Sequence, residues 1–190
     1  MKTIFKFVVN GVSLCLMFPF AAISGFGQIG SLFSFFSQTV SLVPGLPGDY
    51  LRVAYHVMTL DDCPYHCRIS FGTFFAQSSV RLGRGVYIGA YCVIASCTIG
   101  QRTQIASHVQ IFGGGQQHSR DEEGRILGAD EATFVSVLIG EDCWIGASAI
   151  VMAEVGPGTT IGAGAVVSRP IPAGVVAVGN PARVVGQAHA

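Results

Sequence analysis

The sequence IGEDCWIGASAIV, from Ile139 to Val151, decides the fold of this chain. Within it an aliphatic residue recurs at every sixth position, and glycine follows two of the three. The spacing continues on both sides, with shorter steps from Ile94 to Ile99 and from Val151 to Val155, and it includes Leu82, Ile88, Ile94, Ile99, Ile105, Ile111, Ile161 and Val167. Neither the period of an α-helix nor that of an ordinary strand produces this pattern.

A six-residue period predicts a parallel β-helix. Each unit supplies one short strand and one bend, three units make a triangular coil, and stacked coils bury a column of aliphatic side chains. Glycine or alanine after the aliphatic residue suits a corner where a Cβ would crowd or demand positive φ. Antiparallel hairpins would show period-two alternation and Asn-Gly turns, which residues 82–167 lack. The step from Val151 to Val155 is two residues short, so we expect a distorted or tightened coil there.

Two further segments, IGAGAVV (161–167) and VGNPAR (178–183), share this character. Together with residues 139–151 they closely resemble the hexapeptide-repeat acyltransferases, especially bacterial O-acetyltransferases that modify sugars and surface polysaccharides. The resemblance covers roughly residues 69–188, whereas residues 1–50 have no counterpart in the soluble members. It implies a left-handed β-helix, contrary to the usual right-handed crossover, together with a homotrimer and acetyl-CoA bound between neighbouring subunits.

The N-terminal segment predicts membrane association. No charged residue occurs from Phe7 to Gly48, which is far longer than the roughly 20 apolar residues that span a bilayer core. Pro19 and the glycines between Gly25 and Gly30 predict a break into two helical pieces. The fold class is therefore mainly β, a parallel β-helix preceded by membrane-associated helices.

We divide the chain into a hydrophobic anchor (1–48), an interfacial linker helix (49–68) and a β-helix domain (69–190) with an active-site loop at 112–136. A monotopic hairpin on the cytoplasmic face of the bacterial inner membrane fits the anchor best, because the expected acyl donor is cytosolic. A signal peptide and a full transmembrane span remain open, since Lys2 and Lys6 precede the apolar stretch in both cases.

Charge and cysteine content exclude two classes of partner. Eleven basic residues balance eleven acidic ones, so no broad positive field exists to bind a nucleic-acid backbone. The six cysteines lack the paired spacing of a zinc site, and the cluster Cys63, His66 and Cys67 offers no fourth ligand. We therefore expect no metal and no nucleic acid.

His118 is the candidate catalytic base. It lies in a glycine-rich interruption of the repeat, and imidazole can remove a hydroxyl proton at physiological pH. By resemblance, His118 matches the family's catalytic histidine; the alternative is a solvated loop residue. His108, inside the repeat, is a possible second base or acceptor contact, or else a structural residue.

The donor site follows from the resemblance alone. It implies acyl-CoA contacts at Trp144, Gly146, Ala147, Gly162, Ala163 and Arg183, where small residues leave backbone amides accessible and Arg183 meets the CoA phosphates. A buried aromatic at Trp144 and an exposed arginine without a ligand are the alternatives.

These features predict a membrane-bound acetyltransferase. The expected reaction moves an acetyl group directly from acetyl-CoA to a sugar hydroxyl of a surface polysaccharide or lipid-linked glycan, without a covalent enzyme intermediate. Transfer of a longer acyl chain to a membrane glycolipid, a metal-dependent β-helix hydratase and a non-catalytic membrane scaffold are the alternatives. A hydratase needs three converging histidines, and His108 and His118 lack a convincing third.

Overall fold

The computed structural model describes residues 2–113, 121–126, 128 and 136–188. In this part of the chain, three helices precede the strands: α1 (Lys2–Ile23), α2 (Gly30–Ser41) and α3 (Gly45–Thr59). The strands are short and follow at close intervals: β1 (Arg68–Ile69), β2 (Phe74–Phe75), β3 (Val80–Leu82), β4 (Tyr87–Ile88), β5 (Val93–Ile94), β6 (Cys97–Ile99), β7 (Gln104–Ile105), β8 (Gln110–Ile111), β9 (Val137–Ile139), β10 (Trp144–Ile145), β11 (Ile150–Val151), β12 (Thr160–Ile161), β13 (Val166–Val167), β14 (Val175–Val178) and β15 (Arg183–Gln187).

Strands from successive coils stack into three sheets, which confirms the predicted parallel β-helix. The long sheet has the order β1-β4-β7-β10-β12-β14-β15, and only β15 pairs antiparallel among these described strands. The middle sheet has the order β13-β11-β8-β5-β2, and the short sheet β3-β6-β9. The chain passes through the short, long and middle sheets in turn, so three strands complete one coil.

The aliphatic repeat residues form the core. In the long sheet Ile88 pairs in register with Ile105, Ile105 with Ile145, and Ile145 with Ile161, and all four side chains are fully buried. The middle sheet repeats this arrangement with Ile94, Ile111, Val151 and Val167. Burying each such side chain contributes about 1.5–3 kcal/mol, so the column stabilises the coils in a fixed register.

Crowding between coils, and not a positive φ, explains the small residue that follows each buried aliphatic position. A Cβ on Gly89 would lie 2.6 Å from the carbonyl carbon of Ala106 in the next coil. The left-handed φ values occur instead three residues after the buried aliphatic position, and they include non-glycine residues: Tyr91, Arg102, His108, Asp142 and Ser148. Close stacking of the coils therefore explains the small residue, and the sharp turn comes two residues later.

The shortened step from Val151 to Val155 reduces the strand pairing of the short sheet in that coil. Val155 makes only isolated parallel bridges, to Ile139 in the preceding coil and to Ile171 in the following one. The Val155 side chain nevertheless remains buried. The coil is thus tightened, as expected, without loss of the core position.

The helices cover the N-terminal end of the β-helix. Arg52 of α3 is fully buried, and its guanidinium donates to the carbonyl oxygens of Ile69 (2.8 Å) and Val43 (2.7 Å). From α2, the Ser37 hydroxyl accepts a hydrogen bond from the Phe75 amide (3.0 Å). The first coil is therefore capped by helices, which repeat folds require at their ends.

Helix α1 packs on this cap along one side only. Ser13 and Ala21 are buried, and Met17 between them contacts the core. The outward side remains apolar and exposed, for example at Phe7 (81%). Among the described residues α1 alone is long and apolar enough to cross a membrane, and 11% of its Lys6–Ile23 window is buried. The chain turns at residues 24–29, in the region where a break was expected.

Candidate active site

The predicted donor residues Gly146, Ala147, Gly162 and Ala163 come together at one corner, where two successive coils turn from the long sheet into the middle sheet. We call it the small-residue corner. Packing between the coils explains why residues 146 and 162 are glycine. A Cβ on Gly146 would lie 2.5 Å from the Ala163 nitrogen, and a Cβ on Gly162 would lie 2.7 Å from Val178 Cγ1. Ala147 and Ala163 are exposed, so they form the accessible surface.

Two backbone amides at this corner are unpaired. Within the described residues, the N–H groups of Ala147 and Ala163 donate no hydrogen bond, although the Ala147 carbonyl accepts one from Gly164 (2.8 Å). The amides of Gly146 and Gly162 are both engaged with the next coil. Free, fixed N–H donors on an exposed edge are suited to binding a carbonyl oxygen and the negative charge that develops on it.

Trp144 lies two residues before the corner, on the outer side of the long sheet. Its side chain is 62% exposed, between Gln104 and Thr160 of the neighbouring strands. The alternative of an ordinary buried aromatic residue is therefore wrong. The indole forms an apolar surface beside the unpaired amides.

Arg183 lies farther along the same sheet, in β15, paired with Val178. From β10, the order β12, β14, β15 places it about three strand spacings away, roughly 14 Å. Its guanidinium donates to the Ala182 carbonyl (3.1 Å), and no carboxylate in the described part of the chain pairs with it. A charged group is thus available at the C-terminal end of the sheet.

His108 lies one coil from the small-residue corner and is exposed. The Ser107 carbonyl accepts a hydrogen bond from the Ser148 amide (3.0 Å), which joins the two turns. The imidazole stacks on Tyr91 with ring centres 5.3 Å apart, and its backbone has a φ of 62°. Within the described residues the ring makes no hydrogen bond, so no polar partner there fixes its tautomer for action as a base.

His118 lies outside the described residues, but the points at which the loop leaves and rejoins the repeat are described. The interruption begins after β8 of the middle sheet, where the Phe112 amide donates to the Val151 carbonyl (3.0 Å), and the chain returns at β9 of the short sheet. The loop therefore starts at a different corner from the small-residue corner. Asp121, within it, closes a turn by accepting a hydrogen bond from the Arg125 amide (2.7 Å).

An ion pair across this interruption could not be read from the sequence. The Arg102 guanidinium, in the coil before the loop, donates to both carboxylate oxygens of Asp142 in the coil after it (2.7 and 2.5 Å) and contacts Glu141 (3.2 Å). Arg102 accordingly lowers the pKa of Asp142. The partners are 40 residues apart and become neighbours only because both lie three residues beyond stacked isoleucines.

The α3 helix also contains two polar residues, Arg52 and His56, whose side chains are fully buried. The imidazole packs against Phe75 (4.5 Å between ring centres), and neither ring nitrogen has a partner among the described residues. Burial, with a smaller contribution from Arg52, lowers the pKa of His56 to about 3.

The cysteine cluster forms no larger ligand set. The Cys63 thiol donates to Cys67, which raises the pKa of Cys63 and lowers that of Cys67, and the Cys67 thiol donates to the Gly83 carbonyl (3.3 Å). The neighbouring His66 is exposed. Across the described residues no group of three metal-ligating side chains occurs.

Comparison with known families identifies this architecture. The profile described as bacterial transferase hexapeptide (six repeats) matches residues 79–113 and 136–169, on both sides of the loop. The β-helix of this chain carries the repeats of the bacterial hexapeptide transferases. The match begins and ends within the β-helix, so the family relationship concerns the stacked coils.

Named members of the hexapeptide-repeat transferase family resemble this chain over its C-terminal part. Nodulation protein L of Rhizobium leguminosarum bv. viciae is 42% identical over 130 residues, covering 64% of this chain and 60% of that protein. Galactoside O-acetyltransferase of Escherichia coli (strain K12) is 33% identical over 117 residues, covering 59% and 56%. This chain thus spans about 60% of the length of the curated relatives it matches.

A solved structure extends the likeness in fold. The crystal structure of a maltose O-acetyltransferase from Clostridium difficile 630 superposes with a TM-score of 0.68 at 21% identity, covering 84% of this chain and 88% of the other. This coverage exceeds the length of the β-helix, so part of the helical cap has a counterpart in that fold.

Proposed function

We propose that the protein is an acetyltransferase that transfers an acetyl group from acetyl-CoA to a sugar hydroxyl of a surface polysaccharide or lipid-linked glycan. The observation that carries the proposal is the pair of unpaired amides at Ala147 and Ala163 beside the exposed Trp144. The name of the relative galactoside O-acetyltransferase supports a sugar acceptor and an acetyl donor.

The donor runs along the outer side of the long sheet in this proposal. The thioester lies against the small-residue corner, the pantetheine arm extends along successive coils, and the CoA phosphates meet Arg183. The separation of roughly 14 Å between β10 and β15 suits an extended arm. Because Ala147 and Ala163 carry only a methyl group, the arm can approach the backbone closely.

His118 acts as the general base. It takes the proton from the acceptor hydroxyl, the oxygen attacks the thioester carbonyl, and an unpaired amide holds the resulting oxyanion. Collapse of this tetrahedral species breaks the carbon–sulfur bond, and the CoA thiolate receives the proton from the imidazolium. The products are the sugar O-acetyl ester and CoA, and the enzyme is unchanged.

The active site lies between copies of a homotrimer. The loop that contains His118 starts at the corner between the middle and short sheets, whereas the amides lie at the corner between the long and middle sheets. Association of copies around a threefold axis brings the loop of one copy against the small-residue corner of its neighbour. A monomer would then bind donor but lack the base.

Helix α1 attaches the trimer to the cytoplasmic face of the bacterial inner membrane, with residues 1–48 as anchor. Its outward apolar side contacts lipid, while Ser13, Met17 and Ala21 hold its other side on the protein. Crossing the bilayer would require α1 to leave α3, whose buried Arg52 and partly buried Asp49 cannot follow it into lipid at low cost. This packing favours a monotopic arrangement.

The test is transfer of labelled acetyl from acetyl-CoA by the purified full-length protein to galactosides, maltose and extracted membrane glycans. Wild type should label an acceptor, and His118→Ala should lose about 10²- to 10⁴-fold of the rate, the usual contribution of a general base. For transfer to the free sugars, His66→Ala, which changes an exposed histidine outside the loop, is the matched control. No label in any acceptor fraction, or loss on His108→Ala with His118→Ala fully active, contradicts the proposal.

A further inference from the structure

A cleft of about 580 Å³ lies between α1, α3 and the first coil of the β-helix. We call it the N-terminal cleft. Its polar lining comes from Lys6, Asp49, His66 and Arg68, and Tyr65 contributes an aromatic ring that is 45% exposed. None of these residues belongs to the proposed donor site.

An apolar groove of about 460 Å³ adjoins this cleft along α1 and α3. The two share Leu46 and Tyr50, so one continuous depression has a polar end and an apolar end. The groove is lined by aliphatic side chains, among them Val8, Val12 and Leu16, which are each 55% exposed. A ligand that fills both parts must itself have a polar end and a hydrocarbon end.

The polar end carries excess positive charge. Asp49 is engaged by the buried Arg52 (2.6 Å) and by Arg68 (3.1 Å). If the negative charge of Asp49 is paired with the positive charge of Arg52, the cleft lining contains no further acid to compensate Lys6 and Arg68. The Arg68 side chain is 62% exposed, so its remaining N–H groups are available to a ligand.

We propose that the N-terminal cleft binds the phosphate group of a membrane lipid, with an acyl or isoprenoid chain along the adjoining groove. Lys6 and Arg68 neutralise the phosphate, since both cations are suited to phosphate oxygens and arginine adds a planar set of donors. The chain enters from the bilayer against the same side of α1 that faces lipid. This site goes beyond the transfer reaction and does not require it.

The position of the cleft also indicates how an acceptor would be presented, a point that rests on the proposed function. Arg68 belongs to β1, and the order β1-β4-β7-β10 leads to Trp144 in three strand spacings, roughly 14 Å. Sugars attached to a lipid phosphate in the cleft would extend over the outer side of the long sheet. An acceptor hydroxyl two or three sugars from the phosphate then reaches the small-residue corner.

Binding is tested on the full-length protein in a non-ionic detergent by calorimetric titration with dihexanoyl phosphatidic acid, below its micelle concentration and without acetyl-CoA. Wild type should bind it, and more tightly than glycerol 3-phosphate or inorganic phosphate, because the chains contribute. Lys6→Gln with Arg68→Gln should weaken binding at least tenfold, the factor expected from losing one charge-assisted hydrogen bond. Arg84→Gln with Arg169→Gln removes the same charge from residues outside the cleft lining and should leave binding unchanged.

Three results overturn the proposal: no binding by wild type, equal affinity in the two double variants, or free phosphate binding as tightly as the lipid. If the cleft double variant does not fold, as judged by circular dichroism, Lys6→Gln alone carries the test, and affinity equal to that of wild type counts against the site. Acetyl transfer to free sugars is measured separately. Absence of acetyl transfer together with intact lipid binding would contradict the proposed transferase activity but not the proposed lipid site in the cleft.

Discussion

The buried imidazole of His56 predicts a pH-dependent stability that can be calculated and removed. In the folded protein the pKa of His56 is lowered to about 3, while in the unfolded chain it lies near 6.5. Below pH 6.5 the unfolded chain therefore binds a proton that the folded protein does not, and stability is lost as the pH falls toward 3. Each pH unit in that window costs about 1.4 kcal/mol, so two units, from 6.5 to 4.5, cost about 3 kcal/mol.

The variant His56→Phe removes this cost. Phenylalanine has a similar ring shape, can retain the contacts with Phe75 and Phe33, and leaves no unpaired ring nitrogen. We expect His56→Phe to lose about 3 kcal/mol less stability than wild type between pH 7 and pH 4.5, and to be at least as stable at pH 7.

The assay is denaturant unfolding in detergent at several pH values, with the exposed His66→Gln as control. Acidic groups that titrate in this range contribute equally to wild type and variant, so only the difference between them is interpreted. The same loss of stability in wild type and His56→Phe would refute the reasoning, as would a His56 imidazole that titrates near pH 6.5 by NMR.

Three further outcomes are expected. Arg102→Ala should lower the thermal midpoint relative to an Arg84→Ala control, and more so at low salt, because it breaks an exposed ion pair that joins the coils beside the loop. Trp144 is the only tryptophan and is exposed, so its fluorescence should shift to shorter wavelength on titration with CoA; an unchanged spectrum counts against donor binding there. Arg183→Gln should raise the KM for acetyl-CoA about tenfold with kcat nearly unchanged, because phosphate binding is equal in ground and transition states; Arg169→Gln is the control, and a fall in kcat alone would contradict this.

The β-helix could be predicted because its repeat is a direct consequence of backbone geometry. Each coil must place a side chain inside at a fixed interval. The positions of Ile88, Ile105 and Ile145 in the sequence therefore indicate the register of the stacked strands directly. The same logic put the small residues at one corner. The repeat pattern could not show whether residue 146 is glycine to admit a ligand or to admit the next coil, and the structure shows the close approach of the next coil.

The helical cap could not be predicted in the same way. A polar residue in an amphipathic helix is expected to face water, and the sequence does not reveal that another element covers it. Arg52 is buried because the Asp49 carboxylate and four main-chain carbonyl oxygens, those of Ile69, Val40, Ser41 and Val43, replace water around its guanidinium. Those acceptors become available only after α2, α3 and the first coil have packed together.

The position of α1 bears on how the proposed membrane anchor is connected to the proposed chemistry. The Tyr55 hydroxyl of α3 lies 3.3 Å from both the Ser24 hydroxyl and the Phe33 carbonyl and shares its one proton between them, which fixes the turn between α1 and α2 on the cap. The cap in turn holds β1, the first strand of the long sheet, through the hydrogen bond from Arg52 to Ile69. The apolar helix α1 and the sheet that carries Trp144 are therefore parts of one packed body. An acceptor held at the bilayer surface would meet the donor at a distance set by the stacking of strands rather than by a flexible tether.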